Sequence, residues 1–315
     1  MGSRRRWAAL AVAPCVAGAL AAGCGGSDDD RPASSAPDGG ARAGFPVQVR
    51  DANGLVTVRR APRRVVSLSP TATETLFAVG AAGQVVAVDE QSNYPKQAPR
   101  TDISPSQPNL EAIARYRPDL VVISDTSPPD LAGGLRKLGV TVLEEPSAQD
   151  LDDAYDQIRD LGTATGHTDQ ASDVVKRMRT KLNELFARAP SGAGLSVYHE
   201  LGPELYAASS GTFIGGIYRR LGLDNVADKA ARKSGTDYPQ LSSEYVVSSD
   251  PDLIVFTDCC RQSAASVRTR AGWDAIEAVS DGGVTTVDAD VASRWGPRLP
   301  QFVAAVVAGL ERVER

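Results

Sequence analysis

At 315 residues, the chain is long enough for two domains or one large α/β unit with a substantial core. A composition that is 42% hydrophobic and 23% charged, with its single long apolar run at the extreme N-terminus, excludes a multispanning membrane protein. Thirty-four Lys and Arg against 39 Asp and Glu leave a formal charge of −5, so no global basic field exists to hold nucleic acid.

In chain order, residues 1–23 have a basic start (Arg4, Arg5, Arg6), an apolar stretch from Trp7 to Leu20 and small residues before Cys24, the layout of a secretory signal peptide. Ala21-Ala22-Gly23-Cys24 resembles the bacterial lipobox, with the preferred Leu one place early at Leu20. That resemblance implies lipidation of Cys24 and anchoring of the mature chain on the outer side of the cell membrane. Residues 24–44 are mostly Gly, Ser, Pro and Asp with little to bury, and are expected to form a flexible tether.

Beyond the tether, β-branched apolar runs of parallel-sheet type lie at Val65 to Leu68, Val85 to Val88, Leu120 to Ser124 and Val140 to Leu143. Helical patterns at Thr73 to Val79 and Leu131 to Leu138 separate them, and Thr71-x-x-Glu74 is a capping-box candidate. From His167 to Pro190, apolar positions Val174, Val175, Met178, Leu182, Leu185 and Phe186 recur at helical spacing. A helix of about 20 residues spans about 30 Å. It is expected to be a rigid connector that permits only small lobe motion. Strands follow again at Leu195 to Tyr198, Leu253 to Thr257 and Val284 to Val287.

Gln107 to Asp125 and Gln240 to Asp258 align at an offset of 133, with seven of 19 positions identical. Each copy carries an N-cap candidate (Asn109, Ser242), a Glu two places on (Glu111, Glu244), a short helix, a Pro-Asp turn and a buried strand. The expected fold is therefore α/β: two Rossmann-like lobes, residues 45–166 and 191–315, joined by a single long helix at 167–190, with a ligand cleft between the lobes.

The segments RRVVSLSPTATETLFAVGA (Arg63 to Ala81), YPKQAP (Tyr94 to Pro99), PNLEAIARYRPDLVVIS (Pro108 to Ser124) and YPQLSSEYVVSSDPDLIVF (Tyr238 to Phe256) resemble the substrate-binding lipoproteins of cobalamin and ferric-siderophore ABC importers. The resemblance covers about Pro46 to Glu311. It implies capture of a metal chelate and delivery to an ABC permease, whose arginines would be met by Glu111 and Glu244. Within the cleft, the ligand-binding candidates are Tyr94, Tyr198, Phe213, Tyr238, Arg261, Arg294 and Trp295, because amphipathic aromatics and cations suit a chelate with an apolar body and anionic groups. Arg298 is a further cation in the same segment. Only three Trp occur, one of them in the signal, which favours an iron-siderophore over cobalamin. Haem is the other alternative, with Tyr198, His199 or Tyr206 as axial candidates.

Two histidines and four cysteines are too few and too badly spaced for a multi-His metal site or a zinc module, so no resident metal or cofactor is expected. Phosphate-loop, dinucleotide, HExxH and GxSxG signatures are missing, which argues against an enzyme. A chelate-processing enzyme and a docking or sensory lipoprotein are the rival classes. Cys259 and Cys260 follow a strand at the expected cleft edge and are expected in its wall, either as two unpaired thiols or as a strained vicinal disulfide forming a stiff apolar plate. A monomer is expected.

Overall fold

The computed structural model describes residues 44–313; the signal segment, Cys24 and nearly all of the tether lie outside the described residues. A hairpin of β1 (Val47–Asp51) and β2 (Gly54–Val58) comes first. The first lobe continues with β3 (Val65–Leu68), α1 (Pro70–Ala78), β4 (Val85–Val88), α2 (Leu110–Ala114), β5 (Leu120–Ser124), α3 (Pro129–Lys137), β6 (Thr141–Glu145) and α4 (Leu151–Thr165). Helix α5 (Thr168–Arg188) leads to β7 (Ser196–Glu200), α6 (Phe213–Arg220), β8 (Asp224–Asn225), α7 (Asp228–Ser234), α8 (Ser243–Ser249) and β9 (Leu253–Thr257). The second lobe ends with α9 (Ala264–Arg268), α10 (Glu277–Ser280), β10 (Val284–Val287), α11 (Ala289–Ala292) and α12 (Leu299–Val313).

Each lobe holds a four-stranded parallel sheet, ordered β4-β3-β5-β6 in the first and β8-β7-β9-β10 in the second. The two orders are the same, so the sequence echo reflects two copies of one design. Central strands β5 and β9 are buried along nearly their whole length, as sheets covered on both faces require. The echo also has a mechanical reason. The Asp119 carboxylate accepts the backbone N–H groups of Arg63 and Arg64, at 2.9 Å each for the shorter contacts. Its counterpart Asp252 accepts the N–H of Ser196 at 2.6 Å, and Ser196 lies 133 residues after Arg63. In both lobes the Pro-Asp turn thus ties the entry of the neighbouring strand.

Helix α5 buries Ala171, Val174, Val175, Met178, Leu182 and Leu185 in a core that also takes side chains from both sheets. It packs on α4 from one lobe and α12 from the other. The α4–α5 crossing is tight: a Cβ at Gly162 would lie 2.3 Å from that of Ala171, so nothing larger than glycine fits there. With 21 residues, α5 forms a stiff spine about 30 Å long.

The expected capping box at Thr71 does not form. Ser69 caps α1 instead, its side chain accepting from Ala72 N–H, because Pro70 occupies the first helical turn. This frees Glu74 to reach across the lobe boundary. Its carboxylate, 3% exposed, accepts from Arg294 at 2.8 Å and from Arg298 Nε at 2.8 Å. Arg294 also donates to the Gln91 carbonyl, to Asn93 and to Asp290, so both of its Nη groups are engaged. Arg298 lies over the Tyr94 ring at 4.2 Å. Removing Glu74 would leave two guanidinium groups facing each other in a largely dry interface. Glu74→Ala is expected to cost about 3–5 kcal/mol of stability, measured by urea unfolding; a loss under 1 kcal/mol would show that the bridge is dispensable.

Candidate functional site

The carboxyl ends of the first-lobe strands point toward the second lobe, the usual place for a ligand in open α/β sheets. Leu68, Ser124 and Glu145, the last residues of β3, β5 and β6, line a cavity of about 320 Å³. Ala154, Gln157, Ile158 and Leu161 on one face of α4 form a second wall, and Asp290, Ser293, Arg294 and Trp295 from the other lobe close it. A cavity of about 400 Å³ adjoins on the second-lobe side, lined by Leu201, Phe213, Ile214, Tyr238, Thr257, Cys259 and again Asp290, Ser293 and Trp295. A third, of about 410 Å³, meets it at Phe213 and extends between α4 and α6 past Tyr155, Arg179 and Arg220. Phe213 and Trp295 stand between the cavities with ring centroids 6.3 Å apart. Both lobes therefore contribute to one divided cleft.

Of the residues expected to bind ligand, Phe213, Tyr238, Arg294 and Trp295 reach this cleft. Trp295 is oriented by its indole N–H, which donates to Gln157 Oε1 at 2.7 Å; the amide of Gln157 in turn donates to the Pro146 carbonyl at 2.8 Å. Tyr238 is half exposed, and burial raises its hydroxyl pKa. Arg294 is present at the wall, but both of its Nη groups are consumed by Glu74, Asp290, Asn93 and Gln91.

The other three lie elsewhere. Tyr198 is fully buried in the second-lobe core, edge-on to Trp273 and donating to Glu200, because alternation along β7 turns it into the sheet packing rather than toward the cleft. Arg261 is exposed in a turn with left-handed φ (65°), outside the three cavities. Tyr94 is exposed beside the lobe boundary, covered on one face by Arg298. The haem axial candidate His199 is likewise removed from the cleft: its Nδ1 lies 2.5 Å from the Tyr218 hydroxyl, and burial lowers its pKa to about 3, so the imidazole is neutral. Tyr206 is half exposed, outside the three cavities. Cys259 and Cys260 are both free thiols. Cys259 lines the second-lobe cavity, while Cys260 is exposed with φ of 59°.

Glu111 and Glu244 stand in the first turns of α2 and α8, behind the caps Asn109 and Ser242. Both are exposed. Glu244 ionises more readily than usual because its own backbone N–H and Ser242 stabilise the carboxylate. Glu111 has no side-chain bond or ion pair among the described residues.

Sequence reading missed α4 and Glu145. The helix was detectable: Asp150 caps it, Gly166 ends it, and Leu151, Ala154, Tyr155, Ile158 and Leu161 recur at helical spacing. Glu145 extends β6 two residues beyond the apolar run, and no sequence signal marks a carboxyl as buried. Burial, with Asp160 and Asp51 nearby, pushes its pKa up to about 8. The unfolded chain thus releases this proton above the ordinary value of 4.5 while the folded chain retains it, so stability is full below pH 4.5 and falls as pH rises toward 8. At about 1.4 kcal/mol per pH unit, the loss by pH 7 is on the order of 3 kcal/mol. Denaturation of wild type and Glu145→Gln from pH 4.5 to 7 should show the variant's relative stability growing by that amount; parallel profiles would mean that Glu145 is charged.

Two matching lobes, a stiff connecting helix and a cleft lined from both sides define a two-lobed ligand-capture protein. The chain belongs to the periplasmic binding protein family, whose model matches residues 65–291. It is 32% identical to the ABC transporter substrate-binding lipoprotein YvrC of Bacillus subtilis over 94% of this chain and 93% of that one. It is 34% identical to a cobalamin-binding protein of Halobacterium salinarum, across 80% of this chain and 69% of the relative. The fold superimposes on the periplasmic vitamin B12 binding protein BtuF of Vibrio cholerae with a TM-score of 0.69 and 26% identity, covering 81% of this chain and 99% of that one. The protein is the substrate-binding component of an ABC importer.

Proposed function

We propose that the protein captures a corrinoid of the cobalamin class and hands it to a membrane permease without changing it chemically. One observation carries this choice among the chelates: the two cavities that share Trp295 are lined mainly by aliphatic, aromatic, amide and hydroxyl groups, and the Nη groups of Arg294, the one basic side chain lining them, are all engaged. A ferric catecholate is strongly anionic and needs free cations. Haem needs an axial ligand, yet His199 and Tyr198 are in the core, and the raised pKa of Tyr238 disfavours the phenolate that would bind iron. A corrinoid periphery of neutral amides matches such a lining, and a relative that is 34% identical is a cobalamin-binding protein.

Export through the signal at residues 1–23 and lipidation at Cys24 would hold the protein, as a monomer, on the outer membrane face. Glu111 and Glu244 would then present one carboxylate per lobe to the permease, steering orientation more than supplying affinity. Support comes from the duplication itself. Asp119 and Asp252 are tied up in strand anchoring, whereas the two Glu face solvent.

Calorimetric titration against cyanocobalamin, haemin, and ferric hydroxamate and catecholate siderophores tests the assignment. Submicromolar binding of cyanocobalamin alone is expected; a preference for a siderophore or haemin would contradict it. In uptake assays, Glu111→Arg with Glu244→Arg should abolish import while leaving the ligand Kd within about twofold, since rim charges act on docking.

A further inference from the structure

The wall of the first-lobe cavity holds a group that neither the fold nor the lobe bridge uses. Glu145 is 6% exposed, lines the cavity, and its Oε1 is buried with no hydrogen-bond partner. Resting on the corrinoid reading above, we propose that Glu145 is a specificity residue that, as a neutral carboxylic acid, donates a hydrogen bond to an amide carbonyl of the ligand.

The surroundings argue for the neutral acid. From the β1–β2 hairpin, Asp51 faces it, its charge shared with Arg136 of α3 at 3.6 Å. From α4 comes Asp160, which accepts from the backbone of Arg50. Beyond the end of β5, Asp125 is committed to Ser147, and the adjacent Glu144 to Asn53. Across the cavity, Asp290 and Arg294 pair with each other. The nearest charges are therefore negative or already neutralised, and burial adds to them in holding the proton on Glu145.

A buried acid O–H requires an acceptor. Gln157, the nearby amide on α4, is held by Trp295, whose indole N–H it accepts, and by Pro146, to which its N–H₂ donates, and it makes no bond to Glu145 among the described residues. A carbonyl on the ligand entering the cavity would supply one. Asp51 and Asp160 would repel a carboxylate arriving there, so a neutral carbonyl is selected over an anionic edge. In this way the position discriminates amide-bearing corrinoids from carboxylate-bearing chelates.

The test is the affinity of the purified full protein for cyanocobalamin at pH 6.5 and pH 9.5, with Glu145→Gln and Glu145→Ala alongside. Wild type should bind roughly tenfold more weakly at pH 9.5, the loss of one buried hydrogen bond. Glu145→Gln, whose amide can still donate, should bind roughly tenfold more tightly than wild type at the higher pH, and Glu145→Ala should be weak at both. Equal wild-type affinity at the two pH values, a comparison that requires no variant, would overturn the donor role. So would a Glu145→Gln profile that falls with pH as wild type does. Absence of cyanocobalamin binding at either pH would refute the ligand assignment itself, and the donor role with it.

Discussion

One buried carboxylate bridges the two lobes. Glu74 leaves its own helix unassisted at the cap and accepts from Arg294 and Arg298 of the opposite lobe. Such a bridge gains little over apolar packing but is costly to break by halves, so it sets position more than net stability. Together with the α5 spine and the Trp295–Gln157 bond, it ties the two walls of the cleft to each other. A cleft held in this way spends less of its binding energy on ordering itself.

That constraint also determines the chemistry of the cleft. In the two cavities that share Trp295, Arg294 is engaged by Glu74, Asp290, Asn93 and the Gln91 carbonyl, and Arg261 lies in a turn outside the cavities. What remains is an aromatic pair, Phe213 and Trp295, with amides, hydroxyls and a buried acid around it. Tetrapyrrole-like bodies with neutral edges are the natural occupants of such a lining.

The architecture was legible because the information is local and repeated. Leu120 to Ser124 and Leu253 to Thr257 were read as strands with the bounds that the structure gives them, and the Asp119 and Asp252 anchors explain why the echo persists. The site was only partly legible, for a physical reason: the partner of a charged residue is set by tertiary distance. Glu74 and Arg294 are 220 residues apart, so no local pattern could show that each cancels the other. Tyr198 looked like a ligand contact by residue type, but β7 turns it inward. Glu145 had no signal at all, since its significance comes entirely from being buried among Asp51 and Asp160.

Hydrogen–deuterium exchange of the protein with and without saturating cyanocobalamin tests most directly whether the lobe interface is the binding site. The account predicts new protection in Ser69 to Thr75, along the Ala154 to Leu161 face of α4 and in Asp290 to Trp295, with α2 and α8 unchanged. Protection confined to the outer faces around Glu111 and Glu244, or no change at Asp290 to Trp295, would contradict it.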